Sequence, residues 1–411
     1  MTDRIERPIY LNKLIEFKDK DIVKIVTGIR RCGKSTLLDL YEDYLLSSGV
    51  KPANILHMNM ESLQHRELLD YLAFYDYVSS HIVRGEKNYL IFDELQAVIH
   101  WEKAVESLRL DFDVDIYITG SNAYLLSTEF STLLSGRYVE IRLLPLSFAE
   151  FLTFYSFKPS VTMEDKFQKY LQFGGMPILR QFDFNAPRVN EVLEGIYFTV
   201  ILRDVLTRNK ATDQTLLNKL VLFLADNIGS ITSPNNIGNV LASEGNIARG
   251  KNNVAGKTID KYIAMLKSAF IFYSVGRYDI KGKQFLKTLG KNYIVDLGFR
   301  NMLLGYRDVD RGHVLENIVF LELLRRDYRV SIGKIGATEV DFVAEKPDEK
   351  IYIQVTETML GEDTRERELR PFRMINDNYE KIVLSMDKSY IKSYDGIKSI
   401  NIIDFLLAEQ S

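Results

Sequence analysis

The sequence predicts an α/β chain that opens with a doubly wound, mainly parallel sheet, and three observations carry that prediction. An apolar run of β type at 22–27 ends in Gly28, and Leu37, Leu38, Tyr41, Tyr44 and Leu45 then recur at helical spacing across 34–46. Further apolar runs at 54–59, 89–92 and 115–119 alternate with helical patterns at 68–83 and 104–110, and strands that alternate with helices build parallel sheets. The stretch 143–157 (LLPLSFAEFLTFYSF) opens with Pro145 and Ser147 and turns helical, which marks the exit from this first domain.

From 163 to 208 the pattern is helical, broken by Gly174, Gly175 and Pro177, which require a turn. Helices are then expected at 216–228, from Ser233 and Pro234 through 241, and at 258–269, running into a strand at 270–275. Three helices followed by a β-wing is the order of a winged helix. The segment 245–256 reads as a flexible insertion. The final block opens with a helix at 313–328, continues with strands at 329–335, 338–344 and 350–356, and closes with a charged helix at 363–376, a strand at 381–386 and a helix at 403–409.

Composition sets limits on function. The chain has 411 residues, enough for two or three domains, and 46% hydrophobic residues, enough for each to have a core. A formal net charge of -3 excludes a uniformly basic coat, so any nucleic-acid contact must be a local patch. The region 1–20 alternates charged and apolar residues, unlike a secretory signal, and no run of about 18 apolar residues predicts a membrane span. With one cysteine, Cys32, and 5 histidines, neither a disulfide nor a zinc cluster is expected, and the cytoplasm is the expected compartment.

The string 28–35, GIRRCGKS, fits the spacing GxxxxGK(S/T) between a strand and a helix. Glycines let such a loop fold tightly around phosphates, while backbone N–H groups and a helix N-terminus hold the oxygens. The expected nucleotide-binding set is Gly28, Arg31, Cys32, Gly33, Lys34, Ser35 and Thr36, with Lys34 reaching the β and γ phosphates of ATP and Ser35 ligating Mg2+. The side chains of Arg30 and Arg31 are expected to pair with carboxylates or a partner subunit. Residues 89–94 (YLIFDE) are a buried strand ending in two carboxylates, Asp93 as the second magnesium ligand and Glu94 as the group that polarises the attacking water. Asn122 or Ser121, at the end of the strand 115–119, is the candidate for contact with the γ phosphate, and Arg137 is the candidate for stabilising transition-state charge.

GIRRCGKSTLL, LIFDE, ITGSN, SGRYVEIRLLPLSFAEF and FGGMP together resemble a prokaryotic family of AAA-like P-loop ATPases related to the STAND signal-transduction ATPases. The resemblance implies a P-loop NTPase core (1–155), a helical lid (156–212), a winged helix (213–280) and a C-terminal restriction-endonuclease-like α/β domain (281–411). The leading expectation for function is an ATP-hydrolysing switch, with the winged helix as a clamp as in the STAND relatives and the C-terminal domain as a binding module for a protein partner. The alternative is an ATP-regulated DNA-binding protein with residual nuclease activity, in which Arg203, Arg208, Lys210, Lys251, Lys257, Lys261 and Lys267 contact DNA phosphates.

A restriction-endonuclease-like centre requires a helix Glu, an Asp at a strand end and (D/E)xK on the next strand. This chain offers Glu316 and Asp341, but Gln354 and Thr356 stand where the acid and lysine belong. A neutral amide is a weak ligand for a hard cation. The expectation is a degenerate centre, with Lys334 and Lys350 as the candidates for a lysine supplied from a neighbouring strand.

Overall fold

The computed structural model describes residues 4–121, 123, 136–207, 212–243, 255–307, 310–388 and 391–408. The chain divides into two compact units, Met1–Pro145 with Ser268–Phe270, and Leu146–Lys267 with Ile271–Ser411. Among the described residues no helix is long and apolar enough to cross a membrane.

The first unit contains α1 (Pro8–Glu16), β1 (Val23–Thr27), α2 (Lys34–Ser47), β2 (Ile55–Asn59), α3 (Tyr71–His81), β3 (Asn88–Asp93), α4 (Trp101–Asp111), β4 (Val114–Gly120) and β5 (Tyr138–Arg142). The strands form one parallel sheet in the order β2-β3-β4-β1-β5, which places β1 between β4 and β5. Every residue of β1 and β3 is buried, as a parallel strand covered on both faces requires. Val23, Ile25, Leu90, Phe92, Ile116 and Ile118 share a core with Phe74 and Val78 of α3 and Trp101 and Leu108 of α4. The sequence signals for α1 and β5 are weak: α1 buries only Tyr10 and Leu14, and β5 is an edge strand that buries only Ile141.

A buried cation interrupts the apolar pattern of β1. Lys24, fully buried in β1, bonds through Nζ to Asp115 at the start of β4 and to the Lys20 carbonyl at 2.9 Å. Asp115 also accepts from the Asp19 amide and the Tyr117 hydroxyl, both at 2.8 Å, and Tyr117 in turn meets Tyr41 of α2. A buried charge is tolerated only when paired and hydrogen-bonded, and this network meets that condition at the amino ends of the strands.

The second unit begins with α5 (Phe148–Phe154), opened by a capping box between Ser147 and Glu150, and α6 (Met163–Phe173). The predicted turn follows: Gly174 has φ 76°, and a Cβ on Gly175 would lie 2.4 Å from the Leu146 carbonyl. Then come α7 (Ala186–Thr199), continued by a π-helical segment at Val200–Leu206, α8 (Gln214–Asp226), α9 (Pro234–Ser243) and α10 (Gly256–Ser268). The hairpin β6 (Phe272–Asp279) and β7 (Gln284–Ile294) succeeds them, and Thr232 adds an antiparallel bridge to Gly290. Next are α11 (Leu297–Leu304), α12 (Arg311–Arg325), β8 (Arg329–Ile335), β9 (Thr338–Lys346), β10 (Glu349–Val355), α13 (Glu362–Arg373), β11 (Glu380–Ser385), β12 (Ser393–Tyr394), β13 (Ile397–Asn401) and α14 (Ile402–Leu407).

The eight strands from β6 onward form one mixed sheet, ordered β12-β13-β11-β10-β9-β8-β6-β7. The hairpin read from sequence as a wing is therefore also the edge of the C-terminal sheet, with Arg277–Asp279 pairing Ile332–Lys334 in parallel. Asp296, buried ahead of α11, accepts from the amides of Gly175 at 2.6 Å and Gly298 at 2.8 Å. Burial raises its carboxyl to about 6 against the pull of those amides. This clasp fixes the glycine turn.

The Lys24 network gives a stability prediction. Asp115→Ala leaves a buried ammonium without its counter-ion, a change that costs about 3–5 kcal/mol. Trp101 is the chain's one tryptophan and is packed in the first unit, so its fluorescence during urea unfolding reads that unit. A clearly lower midpoint is expected, and an unchanged midpoint contradicts the assignment.

Candidate functional site

The loop after β1 is shaped by backbone that side chains rarely adopt. Gly28, Arg31 and Gly33 have φ of 150°, 66° and 104°, and Gly33 caps α2 so that Lys34 is its first residue. A Cβ on Gly28 would lie 2.3 Å from the Leu143 carbonyl, so only glycine allows the loop to sit this close to the segment leaving β5. Lys34 is 5% exposed, and its ammonium bonds to the carbonyls of Gly28 at 3.1 Å and Ile29 at 3.3 Å. The lysine thus arches back over the loop. Ser35 and Thr36, on the first turn of α2, are exposed.

The loop is also held from below. Arg7, buried just ahead of α1, donates to the carbonyls of Cys32 at 3.2 Å and Leu144 at 2.9 Å. A peptide plane carries its C=O and N–H on opposite sides. Drawing the Cys32 carbonyl toward Arg7 therefore turns the Gly33 N–H away from it, the arrangement an anion-binding loop needs. The Cys32 side chain is fully buried and burial pushes its thiol up, so this residue serves the loop through its backbone. Sequence reasoning missed Arg7 because a single arginine ahead of a short helix carries no motif.

Beside the loop, β3 delivers its two carboxylates. Asp93 is 2% exposed; one oxygen accepts from Asn59 Nδ2 at 3.0 Å and the other from the Thr119 hydroxyl of β4. Thr119 Oγ1 also accepts the Glu94 amide at 3.0 Å. Glu94 sits in the left-handed region at φ 52°, which turns its side chain out of the strand direction. Its Oε1 lies 3.9 Å from Lys34 Nζ, and its Oε2 accepts from Gln96. Asn59, Thr119 and Gln96 are the partners that strand patterns could not reveal, because they come from three separate elements.

Ser121, one residue beyond β4, is fully buried and its Oγ has no hydrogen-bond partner among the described residues. Since Thr27 pairs with Gly120, it sits level with the start of the loop. Asn122 lies outside the described residues. Arg30 pairs with Glu61 at 3.5 Å, as expected, and Arg31 is exposed.

Arg137 requires a correction. Its carbonyl accepts from Val23 at 2.9 Å, and the parallel register runs from Val23 with Tyr138 to Thr27 with Arg142. Arg137 is therefore at the amino end of the sheet, about 16 Å of strand away from the phosphate loop. It does not serve the phosphates of its own chain. Arg142, paired with Glu140 at 2.9 Å, is the arginine at the loop end of β5.

Hard oxygen donors are what magnesium takes. The Ser35 hydroxyl and the Asp93 carboxylate fit that ion and would hold it against the phosphates, where its charge would offset theirs.

In the second unit the nuclease-like residues do meet, around a lysine that the sequence reading did not select. Lys291 of β7 donates to Glu316 of α12 at 2.6 Å and to Asp341 of β9 at 3.1 Å, and Tyr293 donates to Glu316 at 2.6 Å. Burial alone would lower the Lys291 ammonium, yet the Asp341 and Glu316 carboxylates outweigh it and keep the group charged. Burial, reinforced by Asp341, pushes Glu316 up to about 8. Gln354 is turned aside, accepting from the Asp341 amide at 3.3 Å and donating to Glu368 at 2.7 Å. Lys350 pairs instead with Glu345 at 3.0 Å, and the cation bonded to both acidic residues is Lys291. Among the described residues no group of three or more His, Cys, Asp or Glu could hold a metal ion.

The first unit thus has the sheet order, loop and strand-end carboxylates of a P-loop nucleotide-binding domain. Residues 20–152 match the AAA domain family, and 164–310 match a domain of unknown function, DUF8612. The chain is 42% identical over 405 residues to an uncharacterized protein of Haemophilus influenzae, covering 98% of each, and belongs to the same family of AAA-domain P-loop proteins. An uncharacterized protein of Methanocaldococcus jannaschii is 29% identical over 96% of this chain and 88% of its own length. Among solved structures, a Walker-type ATPase of Pyrococcus abyssi has the same fold at a TM-score of 0.50, with 16% identity over 72% of this chain and 95% of that one. Nucleotide binding through the P-loop comes with this family.

Two outcomes are expected. Lys34→Ala removes the ammonium of the phosphate loop, so ATP binding measured by calorimetry is expected to be lost or to fall at least about tenfold; wild-type affinity contradicts the site. The protein incubated with supercoiled DNA and magnesium or manganese shows no cleavage, because the Lys291 ammonium is bonded to both Glu316 and Asp341 and the pair lacks a third acidic ligand. Cleavage that disappears in Asp341→Ala contradicts this account of the C-terminal centre.

Proposed function

We propose that the protein is an ATP-hydrolysing molecular switch, and the observation that carries this reading is the arrangement of Lys34, Asp93 and Glu94 around a loop whose Cys32 carbonyl is already drawn to Arg7. In the reaction, Lys34 leaves the Gly28 and Ile29 carbonyls for the β and γ phosphates. Asp93, held on both oxygens, keeps a fixed orientation for its part in magnesium binding. Glu94 takes a proton from the attacking water, and Ser121, buried with its hydroxyl unsatisfied, donates to a γ-phosphate oxygen. Asn122 remains the neighbouring candidate for that contact.

The proposal extends to organisation: a core at 1–155, a helical lid at 156–212, a winged helix at 213–280 and a restriction-endonuclease-like domain at 281–411. Support for the winged helix comes from the order α8, α9, α10 and hairpin, with the bridge from Thr232 to Gly290 as its short additional strand. Nucleotide binding is proposed to draw the winged helix onto the core, and hydrolysis to release it. The C-terminal domain then serves as a docking module for a protein partner, since its former metal position is taken by Lys291.

One observation favours a second reading, DNA contact through the winged helix. Lys257, Lys261 and Lys267 are exposed on α10, and no carboxylate among the described residues pairs with them. Arg208, Lys210 and Lys251 lie outside the described residues. Phosphate contacts of this kind give a log–log salt slope proportional to their number, and DNA affinity that does not fall with salt excludes the reading.

Glu94→Gln tests the main proposal. ATP binding is expected to persist while turnover falls by about two to four orders of magnitude, the usual contribution of a general base. Phosphate release at the wild-type rate moves the catalytic role away from Glu94.

A further inference from the structure

We infer that Gln96 positions Glu94 and, through its own carbonyl, the attacking water; the inference rests on the reading of the first unit as a hydrolytic ATP site. Glu94 needs such help because of where it sits. Beyond the end of β3, in the left-handed region, its side chain has left the regular strand and is not aligned by the sheet. Asp93 is fixed by two neighbouring side chains, Asn59 and Thr119, one on each oxygen. Among the described residues the Glu94 carboxylate has one hydrogen-bond donor, Gln96 Nε2, which holds Oε2. Its other oxygen faces the Lys34 ammonium at 3.9 Å.

Lys34 is the weaker support, a charge at 3.9 Å and not a hydrogen-bond donor to the carboxylate. Once its ammonium is committed to phosphate oxygens, Glu94 retains Gln96 as the group that sets its orientation. The helical turn Leu95–Ala97 is what makes the contact possible: it folds the chain back directly after Glu94, so that a side chain two positions on returns to the carboxylate. Leu95 and Val98 anchor the turn in the core.

The second half of the amide carries the rest of the inference. Gln96 Oε1 is buried and has no hydrogen-bond partner among the described residues. An orphaned buried acceptor costs about 1–3 kcal/mol, and a donor arriving beside it removes that cost. A water held against Glu94 brings such a donor. With one proton directed to Glu94 and the other to Gln96 Oε1, its lone pair is left for phosphorus. Bond making then follows simply: the water oxygen bonds to the γ phosphorus as the bond to the β–γ bridging oxygen breaks. The water proton passes to Glu94, and ADP leaves with the bridging oxygen.

Gln96→Leu removes donor and acceptor together, and Gln96→Glu keeps the shape and the acceptor while replacing the donor with a like charge. Both are to be compared with wild type and Glu94→Gln for ATP affinity by calorimetry, for kcat and for KM, with the folded protein quantified in each. The expected result is unchanged ATP affinity and KM in both Gln96 variants and a kcat lower by about 10- to 100-fold in Gln96→Leu. A purely structural role for Gln96 would lower the amount of folded protein and the ATP affinity along with turnover. Turnover lost in Glu94→Gln but preserved in Gln96→Leu overturns this inference alone. Turnover preserved in Glu94→Gln overturns the reading of the site and the inference with it.

Discussion

The first unit depends on how a few backbone carbonyls are disposed of at the end of β1. A loop that is to surround phosphates must point its N–H groups inward, and each peptide that does so sends its carbonyl outward, where it needs a partner. Arg7 takes the Cys32 carbonyl and Lys34 takes those of Gly28 and Ile29, while the missing Cβ of Gly28 lets the Leu143 backbone close in beside them. Two cations of different kinds thus share the work. The rigid guanidinium of Arg7 is buried beneath the loop and tied also to Leu144, which makes it a permanent strut. The ammonium of Lys34 sits on a flexible stem and can exchange carbonyl oxygens for phosphate oxygens without the loop collapsing.

Charge burial recurs in the molecule with opposite outcomes. At the amino ends of the strands, Lys24 and Asp115 form a closed pair, satisfied by Lys20, Asp19 and Tyr117 and remote from the phosphate loop. In the C-terminal sheet, Lys291 lies between Glu316 and Asp341 and leaves no vacancy for a divalent ion. By contrast, the polar atoms near the loop are incompletely used: among the described residues Ser121 Oγ and Gln96 Oε1 are buried without partners. Unsatisfied buried polar atoms are costly and seldom kept without a reason. At Gln96 and Ser121 such atoms lie beside Glu94 and at the end of β4, next to the phosphate loop.

Much of the first unit was legible in the sequence because its signals are local. The apolar runs of β1, β3 and β4 and the glycine spacing of the loop each specify structure within a few residues, and the register then brings Thr27, Asp93 and Gly120 to one edge. Arg137 was misplaced for a complementary reason. It is close in sequence to the end of β4, but the parallel return of β5 starts at the opposite edge of the sheet, so sequence proximity became spatial distance. Lys291 illustrates the converse. Its position 25 residues before Glu316 and 50 before Asp341 carries no spacing signal, and only the pairing of β6 with β8 makes the hairpin a neighbour of the acidic residues. The double role of that hairpin, wing and sheet edge, also lies beyond what strand patterns can state.

The most direct test of this account is a crystal structure with a non-hydrolysable ATP analogue and magnesium. The account predicts phosphates enclosed by residues 28–33, Lys34 Nζ moved from the Gly28 and Ile29 carbonyls onto β and γ oxygens, and Arg7 still bonded to the Cys32 carbonyl. A nucleotide bound elsewhere, or bound at the loop with Lys34 unmoved and Arg7 released, would contradict it.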